Sequence, residues 1–240
     1  MGGACLERLT ALCSGRPWCR TLLAFASLQG LDDAHGLPHS IRVLCRALRL
    51  LEEDPESYPG ADVDVVAAAA LLHDAGRPLE KMTGQHHAVL SARLAAAVLE
   101  SIGFPAEKIG RAIEAIEGHS YSGGGSVDTP EACLLRDADR LDALGALGYA
   151  RMVYHGCVIG RGIADAEEHY REKLARLPET LCGALARREA RVLLKRLERV
   201  LEMVSEELQE YRGAVEYAVS LLKPSAGGGG DAGGRRGEAV

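Results

Sequence analysis

The sequence predicts an all-α fold, and three observations support this prediction. Apolar residues make up 47% of the 240 residues while aromatic residues make up only 4%, and Ala, Leu, Val and Arg are abundant. Alanine and straight-chain residues lose little conformational freedom on entering a helix. Apolar residues also recur at helical spacing, and no segment competes seriously as a strand with alternating apolar and polar residues.

The first predicted helices lead to one that should be central and buried. Residues 20–28 form a short apolar helix, and residues 38–53 carry apolar side chains at helical spacing. Prolines and glycine at residues 54–60 end the second of these helices. Residues 62–73 begin with acids, which suit a helix N-terminus, and continue as a run that is apolar on all sides. We therefore expect this helix to lie inside the core.

The middle of the chain alternates helices with loops. A loop is predicted at residues 76–84, followed by helices at 86–101 and 106–117. Residues 122–126 form a glycine loop. The next helix, at 129–144, has a proline in its first turn, where the missing N–H is tolerated.

The last part of the chain is also predicted to be helical, up to a glycine-rich tail. Helix continues to residue 155, and two highly charged helices follow at 166–176 and 180–217. Residues 226–240 are rich in glycine with a few charges and should be disordered, since they bury too little to become ordered. We expect a single domain over residues 1–225.

The net charge and the cysteine pattern indicate which binding partners and which cellular location to expect. The formal net charge is −6 and no long basic run is present, so neither duplex nucleic acid nor an anionic membrane is expected as a partner. The seven cysteines form no C-x-x-C pair, so we expect neither a disulfide framework nor a zinc ribbon. The N-terminus does not resemble a signal peptide, and no stretch has the ~18 apolar residues of a membrane span. These features predict a cytoplasmic protein.

The pair His73-Asp74 is the first candidate functional feature. It follows the apolar run at residues 65–72, and Gly76 suits a helix that ends there. A carboxylate buried beside an imidazole is unfavourable unless a charge compensates it, and a bound cation would compensate both groups. The dipeptide alone equally suits a hydrogen-bonded pair near a helix end.

Other histidines and aspartates strengthen the metal interpretation. His39 begins one predicted helix, His87 begins another, and His119 ends a third. Asp137 and Asp139 lie in a further, otherwise apolar helix, and the residues alone permit either as a ligand. Several helices that each deliver a ligand into the centre of a bundle are a common way to build a metal site.

The order H…HD…H…H…D resembles the HD-domain superfamily of metal-dependent phosphohydrolases. The local sequences around His39, around His73-Asp74 and at residues 138–141 (A-D-R-L) stand where that superfamily has its motifs. Residues 137–148, followed by His169-Tyr170 and Lys173-Leu174, are similar to a bacterial subgroup of small stand-alone HD hydrolases, the YedJ/YpgQ-like proteins. Some members of that subgroup are nucleoside triphosphate pyrophosphohydrolases.

This resemblance implies an HD-type helical bundle with a metal site between its central helices. It implies four metal ligands, which are His39, His73, Asp74 and Asp139. The A-D-R-L pattern favours Asp139 over Asp137 as the ligand. Asp137 and Asp142 then become candidates to hold a ligand histidine or an arginine. His87 and His119 match the two positions that complete a second metal site in some HD proteins. Among Mn, Mg, Co, Fe, Ni and Zn, all compatible with such ligands, we favour Mn.

The same resemblance suggests how phosphate chemistry would be divided among the side chains. Asp74 is the candidate to orient or deprotonate the attacking water, and His119, if it is not a ligand, could protonate the leaving oxygen. Four cations are candidate phosphate contacts, with Arg77 acting on the developing charge: Arg42, Arg77, Lys81 and Lys173. His35 lines the pocket or else caps a helix start, and His155 and His169 are expected to be surface or core residues.

Rival interpretations remain at the level of sequence. The predicted function is divalent-metal-dependent hydrolysis of a small phosphorylated substrate, foremost a nucleotide. A di-iron oxygenase of the same fold would need both His87 and His119 on the metal. A non-catalytic module that binds a nucleotide or metal is the other alternative. No P-loop and no G-x-S-x-G motif is present. The sequence leaves the substrate, the metal and any oligomerisation open.

Overall fold

The computed structural model describes residues 2–29, 32, 34–120 and 129–222, and within them the protein is all-α, as predicted. These residues form eleven α-helices and three short 3₁₀ helices, with no strand. In chain order the α-helices are α1 (Gly2–Ser14), α2 (Pro17–Leu28), α3 (Leu37–Glu53), α4 (Val63–Leu72), α5 (Arg77–Thr83), α6 (His87–Ser101), α7 (Ala106–Gly118), α8 (Pro130–Asp142), α9 (Gly145–Val158), α10 (Ala166–Glu172) and α11 (Ala184–Leu222).

The chain divides into two compact units. The first ends at Leu201 and contains the helical bundle, and the second begins at Glu202 and includes the C-terminal half of α11. The tail predicted at residues 226–240 lies outside the described residues, so its predicted disorder stays a prediction.

Helix α4 is the central element of the bundle, as its sequence predicts. Every residue from Val65 to Leu72 is buried, and α3, α7 and α8 all pack against this helix. The side chain of Asp62 caps its N-terminus by accepting hydrogen bonds from the N–H groups of Asp64 and Val65. The buried end of α4 carries His73-Asp74, so the core itself fixes this pair.

Two short elements differ from the predictions. Helix α1 was not predicted, because most of its residues are exposed and its apolar periodicity is weak. The predicted loop at residues 76–84 contains α5, which begins with a proline in its first turn. Helix α5 ends at Thr83 and is followed by Gly84, whose φ of 69° is the left-handed conformation that glycine adopts readily. This helix directly follows the His73-Asp74 turn.

The expectation that the cysteines form no disulfide framework is wrong. A Cys5–Cys45 disulfide joins α1 to α3, and a Cys13–Cys19 disulfide joins α1 to α2. The sequence pattern gave no sign of these pairs because the partners meet only when α1 folds onto its neighbours. Disulfides are typical of oxidising compartments, so the cysteines no longer support a cytoplasmic location. No described helix is long and apolar enough to cross a membrane.

Candidate metal centre and its cavity

Six histidine and aspartate side chains converge from five helices. His39 lies in the first turn of α3, His73-Asp74 follow α4, His87 begins α6, His119 follows α7, and Asp139 lies in the last turn of α8. The four histidines and Asp74 are buried. Helix ends supply most of these positions, so each side chain can reach the space between helices without interrupting one.

The first group of side chains surrounds the Nε2 atom of His39. This atom lies 3.1 Å from Nε2 of His73, 3.3 Å from Oδ1 of Asp139 and 3.7 Å from Oδ2 of Asp74. The Nε2 atom of His73 lies 3.5 Å from the same Asp74 oxygen. The four residues that the sequence predicts as the ligand core are therefore together.

The second group lies on the other side of Asp74. Its Oδ1 atom is 3.8 Å from Nε2 of His87, while Oδ2 faces the first group. His119 has a ring nitrogen within 4.8 Å of both His73 and Asp74, and its ring centroid is 5.6 Å from that of His87. The Asp74 carboxylate thus has one oxygen toward each group, the arrangement of a bridging ligand.

A partner on the outer side orients each of the four histidine rings. The Nδ1 atoms of His73 and His119 donate to the carbonyl oxygens of Ala70 and Ile116, one turn earlier in each helix. The Nδ1 atom of His39 lies 2.9 Å from Oδ2 of Asp142, and that of His87 lies 3.3 Å from Oε1 of Glu80. Because each outer group accepts at Nδ1, all four rings present Nε2 to the centre, as histidine ligands do.

The donor set fits a divalent metal ion. Neutral imidazole nitrogens and carboxylate oxygens suit first-row divalent metals, and both His39-His73-Asp139 and His73-Asp74-His119 are compact enough to hold an ion. Oδ1 of Asp74 is buried and forms an ion pair with Arg77 Nε at 2.7 Å, without the geometry of a hydrogen bond. Oδ2 faces the imidazole nitrogens of His39 and His73, where a cation would be held.

The protonation states agree with a cation at this position. Burial lowers the pKa of His119 and of His87 to about 4, so both rings are neutral near pH 7. Burial would raise the pKa of Asp74, but Arg77 and the neighbouring histidines hold it well below its ordinary value. Burial alone would lower the pKa of His39, but the carboxylates of Asp139 and Asp142 outweigh burial, and the pKa of His39 is raised. These carboxylates therefore favour positive charge beside His39.

Asp142 contacts the outer nitrogen of the His39 ring and also pairs with Arg42. The buried Asp142 carboxylate accepts hydrogen bonds from Arg42 Nε and Nη2 and from Arg151 Nη1, each with a shortest distance of 2.9 Å. Arg42 does not line the cavity beside the metal centre. The Arg42 guanidinium is held by Asp142 and is therefore not positioned as the phosphate contact that the sequence predicts.

Asp137 is directed away from the metal centre. Its carboxylate accepts hydrogen bonds from the Tyr58 hydroxyl at 2.6 Å and from the backbone N–H groups of Cys182 and Gly183 at 2.9 and 2.7 Å. It therefore ties α8 to the segment before α11. This geometry agrees with the choice of Asp139 from the A-D-R-L pattern, but it does not support the predicted contact of Asp137 with a ligand histidine or an arginine.

Gly76 brings α6 close to the His73-Asp74 turn. A Cβ atom at this position would lie 2.5 Å from the backbone nitrogen of Ser91 and 2.6 Å from the carbonyl oxygen of His87. The Gly76 N–H also donates to Oγ of Ser91 at 2.8 Å. Only glycine allows this approach, which sets the distance between His87 and Asp74.

A cavity of about 470 Å³ opens beside the metal centre. Asp139, His87, His119 and Arg77 belong to its wall, together with several further basic residues. These are His35 and Lys173, which the sequence predicts, and also His86, Arg140, Arg151, His155, Arg161 and His169.

The cavity wall includes some predicted residues and several that sequence reasoning missed. His35 and Lys173 both line it, and burial lowers the pKa of Lys173. The side chain of Lys81 lies outside the described part of the structure. Arg151 and Arg161 were missed because they belong to no motif. Arg140 had a signal, since it directly follows the predicted ligand in A-D-R-L.

Comparison with known proteins identifies similar chains. The HD-domain family model matches residues 36–144. A predicted HD-superfamily hydrolase from an uncultured Thermotogales bacterium is 30% identical with a TM-score of 0.56, and the match covers 85% of this chain and 98% of that one. A sequence search of curated proteins gave no match.

Two further solved structures have similar folds. YpgQ of Bacillus subtilis, solved in complex with ADP, is 25% identical with a TM-score of 0.63, and the match covers 79% of this chain and 97% of YpgQ. An HD-superfamily hydrolase of Bacillus thuringiensis is 26% identical with a TM-score of 0.58, and the match covers 79% of this chain and 96% of the hydrolase.

Proposed function

The chain belongs to the HD-domain superfamily of metal-dependent phosphohydrolases, and we propose that it cleaves a phosphate bond of a nucleotide, with a nucleoside triphosphate as the first candidate. The observation that carries this proposal is the pairing of a histidine and aspartate centre with a cation-lined cavity. Arginine and lysine neutralise phosphate oxygens, and several of them around one cavity suit a polyphosphate chain. The complex of YpgQ with ADP supports a nucleotide as the ligand.

We assign the metal to the histidine and aspartate side chains that converge beside the cavity. His39, His73, Asp74 and Asp139 would hold one ion, and Asp74 with His87 and His119 would hold a second. When bound, a divalent ion polarises a phosphoryl oxygen and provides a nucleophilic water near neutral pH. Among the divalent metals that suit histidine and aspartate ligands, we favour Mn²⁺.

The protein's own residues would position the substrate and handle its charge. Arg77 pairs with Asp74 and also lines the cavity, so its guanidinium is placed to neutralise a phosphoryl oxygen beside the centre. Arg77 and the neighbouring histidines keep Asp74 ionised, and we propose that Asp74 orients the attacking water or accepts its proton. His119 has a pKa of about 4 and is neutral at pH 7, so we propose it as a ligand of the second ion rather than as the acid.

Other parts of the cavity wall would bind the rest of the substrate. Arg161 and Lys173 line the cavity together with the apolar side chains of Met152, Ile159 and Leu174. The cations suit the phosphate oxygens of the substrate, and the apolar surface suits a nucleobase or sugar. A volume of about 470 Å³ lies within the ordinary range of ~300–1,000 Å³ for small-molecule sites.

A hydrolysis assay with matched aspartate variants tests the proposal. Metal-stripped protein is refilled with Mn²⁺, Mg²⁺ or Fe²⁺ and incubated with nucleoside mono-, di- and triphosphates, and phosphate and pyrophosphate are measured separately. Asp139→Asn removes a proposed ligand, whereas Asp137→Asn changes a buried carboxylate of the same helix that faces away from the site. We expect metal-dependent release that Asp139→Asn abolishes and Asp137→Asn retains.

The product identifies the bond that is cut, since release of pyrophosphate from a nucleoside triphosphate indicates cleavage between the α- and β-phosphates. No release with any metal, from protein shown to bind one, would overturn the proposal. Activity in Asp139→Asn equal to that in Asp137→Asn would overturn the assignment of the ligands. Dioxygen consumption by the iron-loaded protein, without hydrolysis, would instead support an oxygenase.

A further inference from the structure

The C-terminal half of α11, residues 202–222, exposes large apolar side chains along its length. Leu208, Tyr211, Val215 and Leu222 are 40%, 61%, 58% and 82% exposed. Isolated apolar residues are normal on a protein surface, but a continuous stripe of them marks a contact surface.

These apolar residues follow a heptad repeat. Leu208, Tyr211 and Val215 are separated by three and four residues, and Leu222 follows Val215 by seven. These four residues therefore share the average 3.5-residue spacing that brings one face of a helix against another in a left-handed coiled coil. Met203, Tyr217, Val219 and Leu221 are also exposed and lie outside this stripe. In this frame the a positions are Leu201, Leu208, Val215 and Leu222, and the d positions are Val204, Tyr211 and Ala218.

The same frame extends back into the first half of the helix, where it is buried. Ala190 and Leu197 occupy d positions and are fully buried, and Leu194, at an a position, is partly buried against the core. A stripe that is buried in residues 184–201 is therefore exposed in residues 202–222 of the same helix. The folded bundle has already nucleated this helix, which removes the largest barrier to forming a short coiled coil.

We propose that residues 202–222 form a parallel, two-stranded coiled coil with a second copy of this chain. Glu207 occupies a g position and Arg212 the following e position. In parallel coiled coils a g residue faces the e residue five places along in the partner helix, which is the separation of these two. Two copies therefore form two reciprocal Glu207–Arg212 ion pairs.

The charge pattern favours this arrangement over other occupants of the stripe. In an antiparallel pair g positions face g positions and e positions face e positions, so Glu207 and Arg212 do not meet. Because one helix carries both charges at the required offset, its own copy is complementary to it. The chain's own tail supplies no alternative partner, since residues 223–240 contain no large apolar side chain other than Val240.

Sedimentation of the full chain under metal-free conditions tests the proposal. We expect a mass of two chains for the wild type. The double variant Leu208→Asp/Val215→Asp places acids at two a positions and should yield a single chain. Tyr217→Asp is the matched control, because Tyr217 is 67% exposed but lies at a c position on the outer face. It should remain a dimer.

A charge reversal tests the orientation of the helices. Glu207→Arg converts both ion pairs to like-charge pairs and should raise the dissociation constant of the dimer by roughly tenfold. Adding Arg212→Glu should restore the wild-type value. Circular dichroism and metal binding check that the variants are folded. A monomeric wild type at micromolar concentrations would overturn the proposal, as would a dimer unaffected by Leu208→Asp/Val215→Asp. Failure of Arg212→Glu to restore association would overturn the parallel arrangement.

Discussion

Replacing Asp142 with asparagine should weaken metal binding without touching a proposed ligand. Asp142 is fully buried, lies 2.9 Å from the Nδ1 atom of His39, and accepts hydrogen bonds from Arg42 and Arg151. An asparagine side chain at this position would keep one acceptor oxygen but lose the charge. The ring of His39 would then be a weaker base and less firmly oriented. Changes to such outer partners typically reduce metal affinity by ~10–100-fold.

The same substitution should lower stability by a predictable amount. Hydrogen bonds to a charged group contribute ~1.5–3 kcal/mol each and are about twice as strong as neutral ones. Asparagine retains part of each interaction, so we expect the free energy of unfolding of the metal-free protein to fall by ~2–4 kcal/mol.

The pH dependence follows from the pKa of Asp142. Burial would raise this pKa, but hydrogen bonds to His39 and Arg42 hold it well below the ordinary value of 3.8. A carboxyl with a depressed pKa in the folded state stabilises the protein above pH 3.8, and this contribution is lost as the pH falls toward the folded-state value. Asp142→Asn should lack this acid-sensitive part of the stability.

Asp137→Asn provides the matched control, because it lies in the same helix and is equally buried. Asparagine keeps one acceptor oxygen for the three donors that Asp137 binds, so the free energy of unfolding should fall by ~1–3 kcal/mol, but the affinity for Mn²⁺ should be unchanged. Calorimetric titration with Mn²⁺ and urea unfolding of the metal-stripped protein measure the two effects. Wild-type Mn²⁺ affinity in Asp142→Asn, or an equal loss in Asp137→Asn, would refute the reasoning.

Three further predictions concern packing, cross-linking and substrate binding. Gly76→Ala should destabilise the protein by roughly 3 kcal/mol in urea unfolding, because the added Cβ atom would clash with the backbone of α6. As the control, Gly110→Ala, at an open helical position, should stabilise the protein by ~0.5–1 kcal/mol. Cys5→Ser should reduce the free energy of unfolding by ~4 kcal/mol, because the disulfide to α3 spans 40 residues; added reductant should then affect the wild type more than the variant. Arg161→Ala should raise KM for the nucleotide about tenfold with little change in kcat, while Arg171→Ala, whose partner is Glu167 and which does not line the cavity, should change neither.

Most of the helical framework could be predicted because its signals are local. The buried run at residues 65–72 is apolar on every side, and Thr129-Pro130 marks the start of α8 in sequence as in structure. Helix α1 was missed because it buries little and its pattern is correspondingly weak. Helix α5 was missed because seven residues are too few for a periodic signal.

The candidate ligands could be proposed from sequence because they lie at helix ends in recognisable motifs. The structure brings His39, His73, Asp74 and Asp139 together and adds His87 and His119 on the far side of Asp74. Their role as ligands stays a prediction that metal binding must test.

The helical class, the buried central helix and the set of residues from which a metal centre could be built follow from the sequence alone. The packing of the helices determines three further features: Arg42 pairs with Asp142, Asp137 points away from the metal centre, and arginines from α8 and later elements line the cavity. Asp142 and His39 are 103 residues apart, and no local pattern links two side chains across that distance. Helix formation depends on neighbours within a few residues, whereas the partner of a buried charge depends on how the helices pack.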